Sequence, residues 1–403
     1  KEVLDLWQAP APSAGGQFLR VTGAVQLNPT EEGDAEFPIF SPTGDKLVFT
    51  ISTDRSGRRA NLLRLLSPER LQKASPRLLE VSSRAQADVP IFGGPGPTGI
   101  RSHDSQVYFS WLTGADFIYY SRVHERIFKG QFSPTATRVE AVQVAAEAAI
   151  TLHGWRSEIY CQNLRGIVSP SAAGAATPIV KLGATLVDDK PIELATMPAV
   201  CPTNPSVFAF IGRLRESSST DLCVRFSEDV IVRADTPDGW EKMPAWSPDG
   251  QYLAVYSTRT NPRASEYGVW ALRVDHNARK LGPMFNVSGD DQISPHDLRD
   301  ARRSGGPAWS PDSRQVLYFA KSRRGAAEQE DCYILKSFDI RYGEDEGPLA
   351  VATPPGLLLN SPGDIDCSPA GSLLAFTNAV TKESQRDYRV VLLKTSLPGA
   401  PKR

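Results

Sequence analysis

The sequence predicts an all-β fold, a single β-propeller, and three observations predict it. One phrase returns four times, each copy runs into an apolar strand, and the link between them is a short turn built on Ser-Pro. The copies are Phe37-Pro38-Ile39-Phe40-Ser41-Pro42-Thr43-Gly44, Met243-Pro244-Ala245-Trp246-Ser247-Pro248-Asp249-Gly250, Pro307-Ala308-Trp309-Ser310-Pro311-Asp312 and Asp364-Ile365-Asp366-Cys367-Ser368-Pro369-Ala370-Gly371. A strand, a Ser-Pro-Asp-Gly turn and a second strand, repeated along a chain, mark propeller blades.

Taken in chain order, Gln17-Phe18-Leu19-Arg20-Val21-Thr22 is a strand with no blade of its own. The first copy leads into Leu47–Thr50, with Ala60–Leu65 as the third strand. A worn copy, Val89-Pro90-Ile91-Phe92, leads through a Gly/Pro loop into Val107–Ser110, with Phe117–Ser121 as third strand. The interval from Pro90 to Pro198 is about twice the others, so a further blade is expected around Leu152–Cys161, where the Ser-Pro turn is lost. Met197-Pro198-Ala199-Val200-Cys201-Pro202 then leads into Val207–Phe210 and Leu222–Phe226. The next two copies run into Leu253–Ser257 with Gly268–Leu272, and Val316–Phe319 with Cys332–Lys336. These strands are apolar, aromatic and β-branched, as suits sheets packed on both faces. The last copy runs into Leu373–Thr377 and Tyr388–Leu393, after which only a short tail remains. The N-terminal strand is therefore expected to complete the last blade and close the ring, which also covers a sheet edge. The expected count is seven four-stranded blades, with six as the alternative, and the expected boundaries are an N-terminal extension at 1–16, a propeller at 17–396 and a tail at 397–403.

Composition narrows the function. Lys plus Arg number 45 against 46 Asp plus Glu, a net charge of -1 over 403 residues, which gives no pull toward nucleic acid. Gly 31 and Pro 32 exceed together the usual share of about 12%, as many short turns require. No apolar run is long enough for a spanning helix. Lys1–Trp7 lacks the basic start and apolar core of a signal peptide, and there is no initiator Met, as in a processed or trimmed product. Cys161, Cys201, Cys223, Cys332 and Cys367 show no metal or haem spacing and read as small hydrophobes.

Few residues invite chemistry. There is no Gly-x-Ser-x-Gly elbow for a peptidase nucleophile. Gly93–Gly99 carries two prolines and no following Gly-Lys-Ser/Thr, so it is a loop rather than a phosphate cradle. Of five scattered histidines, His153 and His296 are the best placed to join a site at a channel mouth. Asp364 and Asp366 stand two apart on an innermost strand and should share a face, where other blades carry apolar residues. They read either as a polar channel-mouth site or as two solvated acids. Asp249 and Asp312 are turn residues that cap local N–H groups. The stretch with Tyr119, Tyr120, Arg126, Phe128 and Phe132 mixes aromatics with Arg as interfaces do, and is the candidate partner contact. No catalytic, cofactor or metal residues are assigned.

The Ser-Pro-Asp-Gly blades resemble the TolB-like propeller repeats of bacterial periplasmic and outer-membrane-associated proteins, which are related in architecture to WD-repeat propellers. The resemblance covers four blades strongly and two weakly. It implies an extracytoplasmic interaction module, and similar repeats occur in the propeller halves of prolyl oligopeptidase-like peptidases and in sugar lyases. A separate N-terminal α/β domain like that of TolB is not evident, so TolB's own role does not transfer. The resulting expectation is a non-enzymatic, extracytoplasmic subunit of a bacterial envelope or extracellular complex, with other proteins as partners, no nucleic acid, no direct membrane span and no cofactor. The alternative is a carbohydrate- or other ligand-binding propeller, lyase-like, with its site at the channel mouth.

Overall fold

In the computed structural model the described residues are 21–27, 34–55, 58–66, 79–84, 106–121, 126–131, 138–145, 151–155, 158–170, 176–234, 239–259, 267–293, 306–321, 333–341, 348–351, 359–382, 385–395 and 397. Regular structure among them is all β. β1 (Val21–Leu27) is followed by antiparallel meanders. β2 (Asp34–Phe40), β3 (Leu47–Arg55), β4 (Arg58–Leu66) and β5 (Leu79–Arg84) form one, and β6 (Gln106–Trp111), β7 (Asp116–Ser121), β8 (Arg126–Gln131) and β9 (Arg138–Ala145) the next. β10 (Thr151–Trp155), β11 (Glu158–Asn163), β12 (Gly166–Ser169) and β13 (Thr177–Lys181) occupy the stretch where the turn signal is lost. β14 (Leu186–Val187) pairs with the start of β15 (Lys190–Val200), which continues into β16 (Phe208–Leu214), β17 (Asp221–Ser227) and β18 (Val230–Arg233). β19 (Glu241–Trp246), β20 (Tyr252–Ser257) and β21 (Gly268–Asp275) follow, with β22 (Lys280–Leu281) and β23 (Phe285–Asn286) both on β21. The chain ends with β24 (Ala308–Trp309), β25 (Gln315–Lys321), β26 (Tyr333–Asp339) and β27 (Leu349–Ala350), then β28 (Asn360–Cys367), β29 (Leu373–Lys382) and β30 (Gln385–Thr395).

By hydrogen bonding, the described strands make six sheets, because β5 and β9 pair in parallel and join two meanders into one eight-stranded sheet. The innermost strands follow one another round a ring, and β28 packs on β2 to close it. β1 pairs antiparallel with β30, giving the order β1-β30-β29-β28. The N-terminal strand thus closes the ring, at Val21–Leu27 instead of Gln17–Thr22; residues 17–20 lie outside the described residues. The second meander corrects the sequence reading. Val89–Phe92 lies outside the described residues, and Val107–Ser110 belongs to innermost strand β6, with Phe117–Ser121 as second strand β7. The turn between them uses no Ser-Pro. Leu112 and Thr113 both donate backbone N–H to the Asp116 carbonyl, at 2.9 and 3.1 Å, so the phrase is disguised.

The core lies between neighbouring meanders rather than at one centre. Leu222, Val224 and Phe226 of β17 pack against Leu253, Val255 and Leu272, and the opposite face of that next sheet, Ala254, Tyr256 and Val269, packs against Val316 and Tyr318. Each sheet is apolar on both faces because each has a neighbour on both sides. The Ser of the repeated phrase is buried in every strong copy. Its hydroxyl takes the N–H that begins the next strand, as in Tyr252 N to Ser247 Oγ at 2.9 Å and Gln315 N to Ser310 Oγ at 2.8 Å. Asp249 and Asp312 cap these turns as expected, accepting the N–H of Gln251 at 3.0 Å and of Arg314 at 3.2 Å, and each also accepts the Ser hydroxyl at 2.6 Å.

Four innermost strands share a feature invisible in the composition. Phe37, Met197, Met243 and Asp364, at the same place in the phrase, have φ of 57°, 52°, 52° and 53°. The pairing register slips at each, between Glu36 and Ile39, Thr196 and Ala199, Lys242 and Ala245, and Gly363 and Asp366. These are bulges with a bulky or acidic residue where glycine is usual, a conformation that costs on the order of 1–3 kcal/mol each. The freed N–H turns to the adjacent sheet: that of Phe37 donates to Thr377 Oγ1 at 3.1 Å, and that of Met243 to Met197 Sδ at 3.3 Å.

Candidate functional site

At most junctions of the ring, neighbouring innermost strands are joined by one recurring polar contact in two alternative forms. Where a strand supplies a Trp, its indole N–H reaches the backbone carbonyl of the preceding strand: Trp111 to Ile39 at 3.3 Å, Trp246 to Ala199 at 2.9 Å and Trp309 to Ala245 at 3.0 Å. At three junctions where that place is not Trp, the preceding strand supplies a polar side chain instead, while the β24–β28 junction, with Ala308 and Cys367 at these places, can form neither contact. Ser110 Oγ takes the N–H of Gly154 at 3.0 Å, His153 Nδ1 that of Val200 at 3.2 Å, and Asp366 Oδ2 that of Phe40 at 2.7 Å. Either form satisfies a backbone group that an innermost strand edge would leave unpaired.

This assigns the proposed channel-mouth residues. Asp366 and His153 are junction acceptors. Asp366 also takes the N–H of Cys367 at 3.0 Å, and burial raises its carboxyl to about 7 against the lowering effect of those two N–H groups. His153 accepts at Nδ1, so the neutral ring carries its proton on Nε2, and burial lowers it to about 4. Asp364 is buried and accepts the Thr377 hydroxyl at 3.0 Å, and Thr377 in turn holds the N–H of Phe37. The expectation of solvated acids at a wide opening is therefore corrected: Asp366 bonds directly to the first sheet, and Asp364 holds Thr377 of its own sheet, which in turn bonds to the first. His296 lies outside the described residues.

The candidate contact region is corrected too. Tyr119, Tyr120 and Phe128 are buried in the β7–β8 pair, with the Tyr119 and Phe128 rings stacked at 5.7 Å. The stretch that mixes aromatics with Arg is a hairpin with its aromatic side chains buried. Arg126 is half-buried opposite Ser121, and Phe132 lies outside the described residues.

Sequence reasoning missed the constellation at the start of β19. Trp240 is 42% exposed, one of three large exposed hydrophobics among the described residues. It is held firmly: its N–H donates to Thr258 Oγ1 at 2.9 Å, Thr258 N–H returns to its carbonyl at 3.2 Å, and it bridges Thr220 of the preceding sheet. The next residue, Glu241, is 0% exposed. Its Oε1 accepts the Ser257 hydroxyl at 2.8 Å, and its Oε2 has no hydrogen-bond partner. Burial raises this carboxyl to about 7, against the Ser257 hydrogen bond; the Asp221 charge raises it further and Arg259 lowers it. Beside it, Arg259 lies over the Trp270 ring at 5.2 Å and Lys242 over the Tyr267 ring at 4.8 Å. An exposed indole fixed at its backbone can stack on the apolar face of a ligand, and the acid next to it can exchange a proton near neutrality. The available signal was Trp240-Glu241 directly before Lys242-Met243-Pro244, a large aromatic and an acid entering an innermost strand.

No family model and no curated protein sequence matches this chain. Solved structures do resemble it in fold. A puromycin-hydrolysing peptidase of Mycobacterium tuberculosis is similar at 10% identity and a TM-score of 0.54, over 90% of this chain and 52% of that one. An oligogalacturonate lyase of Vibrio parahaemolyticus is similar at 10% identity and 0.53, over 94% of this chain and 98% of that one. An oligogalacturonate lyase in complex with manganese is similar at 12% identity and 0.54, over 98% and 96%. The chain spans about half the length of the puromycin-hydrolysing peptidases and nearly the whole of the lyases. At these identities the likeness shows the propeller fold alone. It nonetheless overturns the expectation of a non-enzymatic assembly subunit, which rested on loop-rich architecture, neutral charge and the lack of a recognisable catalytic motif, since enzymes carry the same fold.

Proposed function

We propose that this propeller binds a carbohydrate or comparable polyhydroxylated ligand at the end of the ring where β19 begins, as a lyase-like, carbohydrate-active protein. The observation that carries this reading is the exposed Trp240, whose backbone is pinned by Thr258 on its own sheet and by Thr220 on the preceding one. A sugar ring presents an apolar C–H face to such an indole and hydroxyls to the polar groups around it, the division of labour that small-ligand sites use. Whole-length likeness in fold to oligogalacturonate lyases supports the choice of ligand class. Among the described residues no three His, Cys, Asp or Glu side chains converge as a metal site would need, so no metal-dependent step is assigned.

Calorimetric titration with oligogalacturonides, neutral gluco-oligosaccharides and a control peptide tests the reading, together with the ultraviolet absorbance of the unsaturated product that elimination would release. Saccharide binding that W240A abolishes is expected. Absence of binding to every saccharide, or equal binding by W240A, overturns it. An extracytoplasmic location belongs to the same proposal, supported by the Ser-Pro-Asp-Gly repeats. Recovery of the native protein with cytoplasmic markers on cell fractionation would count against that location.

A further inference from the structure

Glu241 occupies a position with a consequence for Trp240. The carboxyl is sealed where β17, β19 and β20 meet, and its strand end is tied across the junction by Glu241 N–H to the Thr220 carbonyl at 3.0 Å and the Thr220 hydroxyl to the Glu241 carbonyl at 3.0 Å. Gly239, just before Trp240, lies directly on it: a Cβ there would come within 3.1 Å of Glu241 Oε1, 3.3 Å of Ser257 Oγ and 3.0 Å of Arg259 Cγ. The backbone that presents the indole is therefore the cover over a buried acid with one unpartnered oxygen. We propose that Glu241 is a proton-operated latch for the Trp240 platform, closed while the acid is protonated and loosened when it ionises.

The surrounding charges favour two states. From β17, Asp221 approaches, engaged with Arg233 of β18 at 3.3 Å; Arg233 also holds Asp188, in the turn between β14 and β15, at 2.8 Å. From the end of β20, Ser257 donates to the carboxyl and its oxygen takes the Arg259 N–H at 3.2 Å. On β19 itself, Lys242 is turned to Tyr267. A neutral carboxyl keeps the Ser257 hydrogen bond and leaves one O–H unpartnered, a smaller cost than a buried charge. An ionised one, with the proton lost to bulk water, must draw in water or a cation past Gly239, because a buried charge with a bare oxygen is costly. The raised carboxyl value places the changeover near neutrality.

The inference deepens the binding proposal by naming its regulation, and its test needs no ligand. In protein labelled at the indole nitrogens, the Trp240 resonance, identified by its loss in W240F, is followed across the neutral range. A titration with midpoint near 7 in the wild type and a flat profile in E241Q are expected. S257A, which removes the side-chain hydrogen bond favouring the ionised form, should raise the midpoint by about one pH unit and serves if E241Q does not fold. A Trp240 titration unchanged in E241Q, or no titration in the wild type, overturns the latch. Saccharide binding that fails beside a normal titration sinks the binding proposal alone, and W240A-sensitive binding without the titration sinks the latch alone.

Discussion

Phe40 and Asp366 stand 326 residues apart in sequence and are joined by a 2.7 Å hydrogen bond from the Phe40 N–H to Asp366 Oδ2. The bond crosses the junction between the first and last sheets, where the two ends of the chain meet. The same junction carries the Phe37–Thr377–Asp364 relay, and β1 pairs with β30 in the last sheet. The ring is closed by strand exchange on its outer edge and by acidic side chains on its inner edge.

Replacing Asp366 with Ala leaves the N–H groups of Phe40 and Cys367 without their acceptor. A buried unpaired donor costs about 1–3 kcal/mol, so D366A should lower stability by about 2 kcal/mol or more in denaturant unfolding. The pH dependence has a definite sign. A carboxyl raised from 3.8 to about 7 in the folded state stabilises fully below its unfolded value, and this contribution is lost as pH rises through about 7. D366N should flatten that part of the profile; an undiminished decline in D366N would assign it to another group.

His153 has the opposite sign. Its folded value lies near 4 against 6.5 unfolded, because burial disfavours the imidazolium and Nδ1 is occupied as an acceptor. Its contribution is present above about 6.5 and lost as pH falls through about 4. H153F, which removes both the titration and the Val200 acceptor, should be less stable than wild type at neutral pH by about 1–2 kcal/mol and show a shallower acid limb. Equal acid limbs would mean that the imidazole is hydrated.

The fold was legible because the Ser-Pro-Asp-Gly turn is local: Ser247 and Asp249 satisfy backbone groups within a few residues, so the same letters recur wherever the same turn is needed. β6 was misplaced and the blade at β10 was only inferred, because neither keeps the Ser-Pro turn. The junction acceptors were misread for a different reason. Whether Asp366 faces water or a neighbouring N–H depends on whether the next innermost strand carries Trp or another residue, a complement that lies one blade away in sequence. Trp240 and Glu241 escaped notice because an aromatic and an acid side by side match no motif, and their meaning comes from Ser257 and Thr220 folding over them.

Trp246 tests the indole form of the junction. W246F keeps most of the ring but deletes the donor to the Ala199 carbonyl and the stack on His276 at 5.9 Å. A loss of about 1–2 kcal/mol is expected by thermal unfolding, with m-value unchanged because the surface exposed on unfolding is the same. W309F should lose a similar amount through Ala245. A neutral outcome in both would show that the carbonyls find other donors and that the indoles contribute by packing alone.

Asp364 combines two demands that separate by substitution. Its φ of 53° favours Asn and Asp among non-glycine residues, and its Oδ2 holds Thr377, which holds the N–H of Phe37. D364N satisfies both, since the amide oxygen can accept the same hydroxyl and Asn tolerates the left-handed region; its stability should stay within about 0.5 kcal/mol of wild type at neutral pH. D364V fails both, placing a β-branched residue at positive φ and leaving the Thr377 hydroxyl to compete for other acceptors, and should lose about 3 kcal/mol or more. D364G separates the terms: relief of backbone strain offsets part of the lost acceptor, so it should fall between the other two. If D364G is as unstable as D364V, the hydrogen-bond relay sets the cost of this position; if D364G matches D364N, the backbone conformation does.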